Sequence, residues 1–288
     1  MKTRAIWIII SVVAAAGIIN LPLFFNDEQN NRLDIKGSTT VCPIIMRCLD
    51  LFKKDYSEAL ITVTKSGSGS GIAALLDGTA DIAMSSRPLT EKEKSIIAEK
   101  GLKIDRIVIG LDGIAIIVHA QNPIDQISIK QLRDIYTGKI TDWKELGCTP
   151  GKIIPVSRDV SSGTFVIFGK KILGSEKLRP DVQLVPSNRV MVQSVAANKE
   201  SIGYAGLGYV DKSVKALAVN GCHTDPTTIK SGKYPLSREL FLFTRDDFSE
   251  LKKNFLEFVL SPEGQRIVRE EGFVAATNQS NSKKRHKG

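Results

Sequence analysis

Three short segments of this chain bring glycines and hydroxyls together where a helical pattern begins. Gly37-Ser38-Thr39-Thr40-Val41 follows a strand-like run and opens a helix. Ser66-Gly67-Ser68-Gly69-Ser70-Gly71 does the same, as does Ser161-Ser162-Gly163-Thr164, which Arg158 precedes. The first backbone N–H groups of a helix lack intrahelical partners, and the helix dipole makes that end positive. Glycine lets the backbone approach a bound group, and Ser and Thr add hydroxyl donors. Such an end suits an anion without needing many full charges. Taken singly, each segment reads as an ordinary N-cap. Three in one chain, one beside an arginine able to make a bidentate charge-assisted contact, point to a small tetrahedral oxyanion. Neither GxxxxGK[ST] nor GxGxxG is present, so the glycines do not spell a nucleotide loop.

The elements that must position these loops alternate in type. Strand-like runs at Leu33–Lys36, Ala59–Thr64 and Ala80–Ser85 alternate with helical patterns over Pro43–Lys54, Gly71–Leu76 and Thr90–Lys100. Two apolar runs, Ile104–Ile109 and Gly113–Val118, then read as separate strands. A second series starts near Gln121, with helices over Ser128–Tyr136, Gly163–Leu173 and Val190–Asn198 and strands at Ile153–Ser157 and Gly203–Ala205. Near the end come a strand at Leu240–Thr244, a helix over Ser249–Leu260, and another that Ser261-Pro262 caps. Thr90 with Glu93, Ser128 with Gln131, and Asp142 with Glu145 have capping-box spacing. This βαβ order predicts an α/β fold with a mainly parallel sheet covered by helices.

The ends of the chain differ from its body. Lys2 and Arg4 precede an uncharged run from Ala5 to Phe25. Residues 1–25 read either as a cleaved signal peptide, with Ala14-Ala15-Ala16 before the cut, or as an uncleaved membrane anchor. Both place the rest of the chain outside the cytoplasm, in the periplasm or on the outer face of the cytoplasmic membrane. Of the net charge of +9, Lys2 and Arg4 carry +2 and the tail lysines and arginine, Lys283, Lys284, Arg285 and Lys287, carry +4, leaving +3 elsewhere. That excess is too small for a nucleic-acid footprint, so no nucleic-acid partner is expected. The tail, residues 279–288, reads as a disordered basic end.

Catalysis and metal binding find little support. His119, His223 and His286 form no local constellation, so Ser162 has no base to make it a nucleophile. No CxxC occurs, so neither a zinc site nor any other cofactor is expected, and the protein is not expected to be an enzyme. Cys148 and Cys222 sit in Gly-containing loops, and with an export signal they form the expected disulfide. Cys42 and Cys48 are six apart on one helix, not side by side, and are expected to stay reduced.

Read in order, Gly37-Ser-Thr-Thr-Val with Pro43, Ser66-Gly-Ser-Gly-Ser-Gly, Asp81-Ile-Ala-Met-Ser-Ser-Arg-Pro, Leu132-Arg-Asp-Ile-Tyr-Thr-Gly-Lys-Ile-Thr-Asp-Trp, Arg158-Asp-Val-Ser-Ser-Gly-Thr and Leu260-Ser-Pro-Glu-Gly-Gln resemble the phosphate-binding proteins of bacterial phosphate ABC transporters. The likeness spans about Leu33 to Val274. It implies a type II periplasmic-binding-protein fold. Two doubly wound α/β domains would be joined by a two-strand hinge, with the ligand in the interdomain cleft. Domain 1 would be 33–115 plus 238–278 and domain 2 would be 116–237, with crossings near Gly113–His119 and Lys233–Phe241. The implied phosphate ligands are Thr39, Thr40, Ser68, Ser86, Arg158, Ser162, Gly163 and Thr164. Asp81 and Arg87 would be structural. The implied function is capture of inorganic phosphate for the permease subunits of an ABC importer, by a monomer that touches the membrane only if its N-terminal segment is uncleaved. Alternatives are another oxyanion, such as sulfate or molybdate, or a membrane-anchored phosphate sensor. One departure stands out: well-known members carry an aspartate, which accepts the phosphate proton and repels sulfate, where this chain has Ser86.

Overall fold

The computed structural model describes residues 31–247 and 249–276. The N-terminal segment 1–25 and the basic tail lie outside them, and no helix among the described residues is long and apolar enough to cross a membrane. The strands are β1 (Arg32–Gly37), β2 (Leu60–Lys65), β3 (Ile82–Ser85), β4 (Ile104–His119), β5 (Gln126–Ile127), β6 (Ile154–Arg158), β7 (Gln183–Val185), β8 (Ser201–Gly206), β9 (Val214–Val219), β10 (Ser237–Arg245) and β11 (Val274–Ala275). The helices are α1 (Cys42–Phe52), α2 (Ser68–Leu76), α3 (Glu91–Glu99), α4 (Ile129–Thr137), α5 (Gly163–Phe168), α6 (Asn188–Ala196), α7 (Pro226–Lys230), α8 (Glu250–Leu260) and α9 (Pro262–Glu270).

Strand β4 organises the molecule. The two apolar runs read as separate strands form one 16-residue strand instead. Its glycines do not end it: side chains at Gly110 and Gly113 would collide with Val274 and Thr224, so they mark close packing rather than turns. Residues 104–113 of β4 pair antiparallel with β10, and residues 114–118 pair antiparallel with β8. Successive side chains of a strand face opposite sides of the sheet. Ile114, Ile116 and Val118 accordingly enter one apolar cluster, while Ala115 and Ile117 enter another. Farther back, Ile109 and Val108 divide in the same way between two further clusters. With both faces covered, the strand is apolar from Ile107 to Val118 except at Asp112.

The sheet runs β2-β1-β3-β10-β4-β8-β6-β7, with β9 and β11 also on β4. Its wings are parallel: β1 pairs with β2 and β3 on one side, and β6 with β7 and β8 on the other. The centre is antiparallel, through β3–β10, β10–β4 and β4–β8. The expected α/β architecture is present as a mixed sheet, because β4 and β10 run against their neighbours. The three capping boxes form as their spacing implied. Short elements such as β7, β9 and α7 carry too few residues for a clear period.

The expected disulfide is not formed, and all four cysteines are free. Cys148 and Cys222 pack at the edge of one apolar cluster, but the Cys148 thiol turns to the Leu146 carbonyl and the Cys222 thiol to that of His223. Cys42 and Cys48 are buried on α1, and burial pushes the Cys48 thiol up to about 12.

Candidate anion-binding site

In open α/β sheets, ligands sit beyond the carboxyl ends of parallel strands, where the loops from neighbouring strands part. Here β1, β2 and β3 of one wing and β6 of the other end at the same place. The loop after β1 carries Ser38, Thr39 and Thr40, α2 opens after β2 with Ser68, Ser86 follows β3, and Arg158 closes β6 ahead of α5. They surround a cavity of about 120 Å³, which Ser38 and Gly67 also line. All eight residues expected from the sequence line it together. A larger open cleft of about 1130 Å³, beside Arg189 and Tyr209, has no comparable cluster of hydroxyls, so the anion chemistry belongs to the small cavity.

Three loops meet across this space. The Gly69 N–H donates to the Ser161 carbonyl at 2.9 Å, and the Thr40 and Thr164 hydroxyls are 3.3 Å apart. Gly163 stands where a Cβ would come 2.3 Å from the Ser68 hydroxyl and 2.6 Å from that of Ser86. Any side chain there would fill the cavity. Ser162 caps α5 by accepting from the Phe165 N–H, and the Gly163 and Thr164 N–H groups occupy the first helical positions, which have no intrahelical acceptor. The first loop is tighter than the sequence suggested. Ser38 accepts from the N–H groups of Thr40 and Val41, and α1 starts only at Cys42.

Arg158 is the charged group of the cavity. It is 1% exposed. Its Nε donates to the Val185 carbonyl at 3.0 Å and its Nη2 to the Pro186 carbonyl at 2.8 Å, so the strand β7 beside β6 fixes the guanidinium plane. Tyr204 supports the same strand end, accepting from the Arg158 N–H and sharing a 2.7 Å bond with Ser157. The Tyr204 ring stacks on Phe168 at 4.0 Å. The Arg158 Nη1 is buried without a protein partner among the described residues. Burial pulls the Arg158 guanidinium below its ordinary value, and the nearby Asp159 carboxylate, 3.7 Å away, opposes that shift.

Three further residues, not singled out from the sequence, complete the surroundings. Arg238, at the start of β10, donates through Nε and Nη2 to the Asp112 carboxylate at 2.9 and 2.7 Å. Its Nη1 reaches the Thr164 hydroxyl at 2.9 Å and the Ser86 hydroxyl at 3.3 Å, and its Nη2 reaches the Thr40 hydroxyl at 3.3 Å. Asp112, in β4, is fully buried. Burial pushes its carboxyl up, while Arg238 and the Leu207 N–H pull it back. Asn188, opening α6, donates to the Thr40 hydroxyl at 2.9 Å and accepts from the Gly206 N–H. Asp112 interrupts the apolar stretch of β4 at residues 107–118, and Arg238 precedes the apolar residues of β10.

Asp81 and Arg87 are structural. The Asp81 carboxylate accepts from the Asp34 N–H at 2.7 Å, and Arg87 forms a two-point pair with Glu93 at 2.7 Å. Neither His119 nor His223 lines the cavity. Among the described residues no group of His, Cys, Asp and Glu could hold a metal ion.

A mixed α/β sheet whose loops close on a small, hydroxyl-lined cavity with a buried guanidinium defines a solute-binding protein for an anion. Comparison with known proteins places it further. The model of the PBP superfamily domain matches residues 26–263. The phosphate-binding protein PstS of Staphylococcus epidermidis is 34% identical over 257 residues, 84% of this chain and 78% of that protein. A Clostridium perfringens protein assigned as a phosphate ABC transporter substrate-binding protein, solved with bound phosphate, is 34% identical with a TM-score of 0.80, covering 86% of this chain and all of that one. An ABC-type phosphate transport receptor from Vibrio cholerae is 32% identical with a TM-score of 0.71, over 85% of this chain and 100% of its own. The chain belongs to the phosphate-binding proteins of the periplasmic-binding-protein superfamily.

Proposed function

We propose that this protein captures inorganic phosphate outside the cytoplasm and delivers it to the permease subunits of an ABC importer. The carrying observation is the Arg158 Nη1, buried beside the cavity with no acceptor among the described residues. A guanidinium N–H only donates, and leaving it unpaired in a buried site is costly, so an anion oxygen is its natural partner. Thr39, Thr40, Ser68, Ser86, Ser162 and Thr164 would add hydroxyls, with the backbone N–H group of Gly163. The names of the relatives support phosphate as the anion and an ABC importer as the recipient. The protein would bind without chemistry, as a monomer, held at the membrane if its N-terminal segment is retained.

Binding would close two lobes, 33–115 with 238–278 and 116–237, about the β4–β10 crossing. The apolar clusters on either side of that crossing and the bonds spanning the cavity favour this division. The test is calorimetry on the full chain in detergent. Phosphate should bind with micromolar or better affinity, and X-ray scattering should give a smaller radius of gyration once phosphate is added. No heat of binding at millimolar phosphate would exclude the reading.

A further inference from the structure

Two residues hold the first loop without lining the cavity. Asn188, fully buried at the start of α6, donates to the Thr40 hydroxyl at 2.9 Å. It is itself fixed by the Gly206 N–H, which donates to its amide oxygen at 3.3 Å. The Tyr209 hydroxyl donates to the Thr39 carbonyl. Burial pushes the Tyr209 phenol well above its ordinary value, so it keeps the proton that makes this bond. Neither residue lines the small cavity, and Tyr209 lines the large cleft instead.

A second contact joins the other two loops. The Gly69 N–H donates to the Ser161 carbonyl at 2.9 Å, and the Ser161 hydroxyl is 3.4 Å from the Ser66 carbonyl. Gly67 makes this approach possible. Its φ is +89°, and a Cβ there would fall 2.5 Å from the Ser161 hydroxyl oxygen. In the division into lobes proposed above, Thr39, Thr40, Ser66 and Gly69 belong to 33–115, while Ser161, Asn188 and Tyr209 belong to 116–237. Each of these bonds therefore crosses from one lobe to the other. Each also runs between two protein groups, so none of them needs a phosphate oxygen.

We propose that Asn188 and Tyr209 are positioning residues that latch the Thr39–Thr40 loop across the lobes, so that the closed form is populated before phosphate enters and phosphate leaves slowly once bound. This rests on the phosphate reading and its two lobes, and adds what controls release. A ligand that favours the closed form draws on the closed population already present, and its apparent affinity scales with that fraction. Water replaces each latch bond when the lobes part, so a bond biases closure only modestly, on the order of threefold to tenfold.

Tyr209→Phe tests the latch, because it removes one hydroxyl, keeps the ring and leaves the groups lining the cavity in place. Two measurements on the full chain read it. The first is small-angle scattering without phosphate, with the detergent matched to the solvent. The variant should have a larger radius of gyration than wild type, and should shrink more when phosphate is added. The second is stopped-flow phosphate exchange. The dissociation rate should rise by about threefold to tenfold, with association no slower than in wild type. Asn188→Ala is the second variant and should move both readouts the same way, so a failure of either variant to fold leaves the other. Equal radii without phosphate would overturn the proposal. So would slower association with dissociation unchanged, the mark of residues that merely support the cavity. Wild type that binds no phosphate sinks the phosphate reading itself, while the phosphate-free radii still decide the latch.

Discussion

The two buried arginines of the cavity are held in opposite ways. Arg158, at the end of β6, is fixed by the Val185 and Pro186 carbonyls and has one nitrogen left over. Arg238, at the start of β10, spends every N–H on Asp112 and three hydroxyls. Both are buried, yet only Arg158 lines the cavity. The difference teaches that a guanidinium becomes a ligand group by being left incomplete, and a scaffold by being satisfied. Position along the chain follows the same division. Arg158 stands on the loop that carries a helix N-terminus, where an anion is already favoured. Arg238 stands on one of the two strands that cross the centre of the sheet, where a fixed frame is needed.

Breaking the scaffold should have the largest effect. Asp112→Ala leaves Arg238 buried and uncompensated, and should cost about 3–5 kcal/mol of stability in denaturant unfolding. A loss below 1 kcal/mol would mean water replaces the carboxylate freely. The equivalent change at the other arginine should act on binding instead. Arg158→Ala should weaken phosphate by ~1.5–3 kcal/mol, with little change in the unfolding midpoint. Equal losses in both measurements would erase the distinction between the two arginines.

Smaller changes sharpen it. Ser86→Asp places a carboxylate beside Arg238 and inside the cavity, and should raise the preference for phosphate over sulfate by about 1–3 kcal/mol in paired titrations. An unchanged preference would locate the discrimination elsewhere in the cavity. At the far end of the scale, Cys148 and Cys222 lie outside this network as free thiols. Adding a reductant should therefore leave the thermal midpoint of unfolding where it was. A fall of several degrees would mean that a bond between them had been holding the fold.

Much of the ligand half of the site was legible in the sequence, because its logic is local. A glycine, a hydroxyl and a helix start lie within five residues of one another in each of the three loops. The scaffold half is not local. Arg238 and Asp112 are separated by 126 positions, and each reads alone as a single charge beside apolar residues. Only the antiparallel pairing of β4 with β10, which sets Arg238 opposite Asp112, joins them. Asn188 was hidden for a similar reason, since it looks like an ordinary residue at a helix start until its amide meets Thr40 across the cavity. The break read between Ile109 and Gly113 failed because a glycine required for close packing looks, in sequence, like one required for a turn. The expected Cys148–Cys222 bond failed because loop position alone does not set where a thiol points.

The central claim is that the cavity at Arg158 receives a tetrahedral oxyanion. Arsenate tests it most directly, because it is protonated like phosphate and its arsenic can be located by anomalous scattering in a crystal of the protein. The arsenic should lie within the cavity, with one oxygen at hydrogen-bond distance from the Arg158 Nη1 and others facing Ser68, Ser162 and Thr164. Arsenic bound at another place, or absent from the cavity at saturating arsenate, would contradict it.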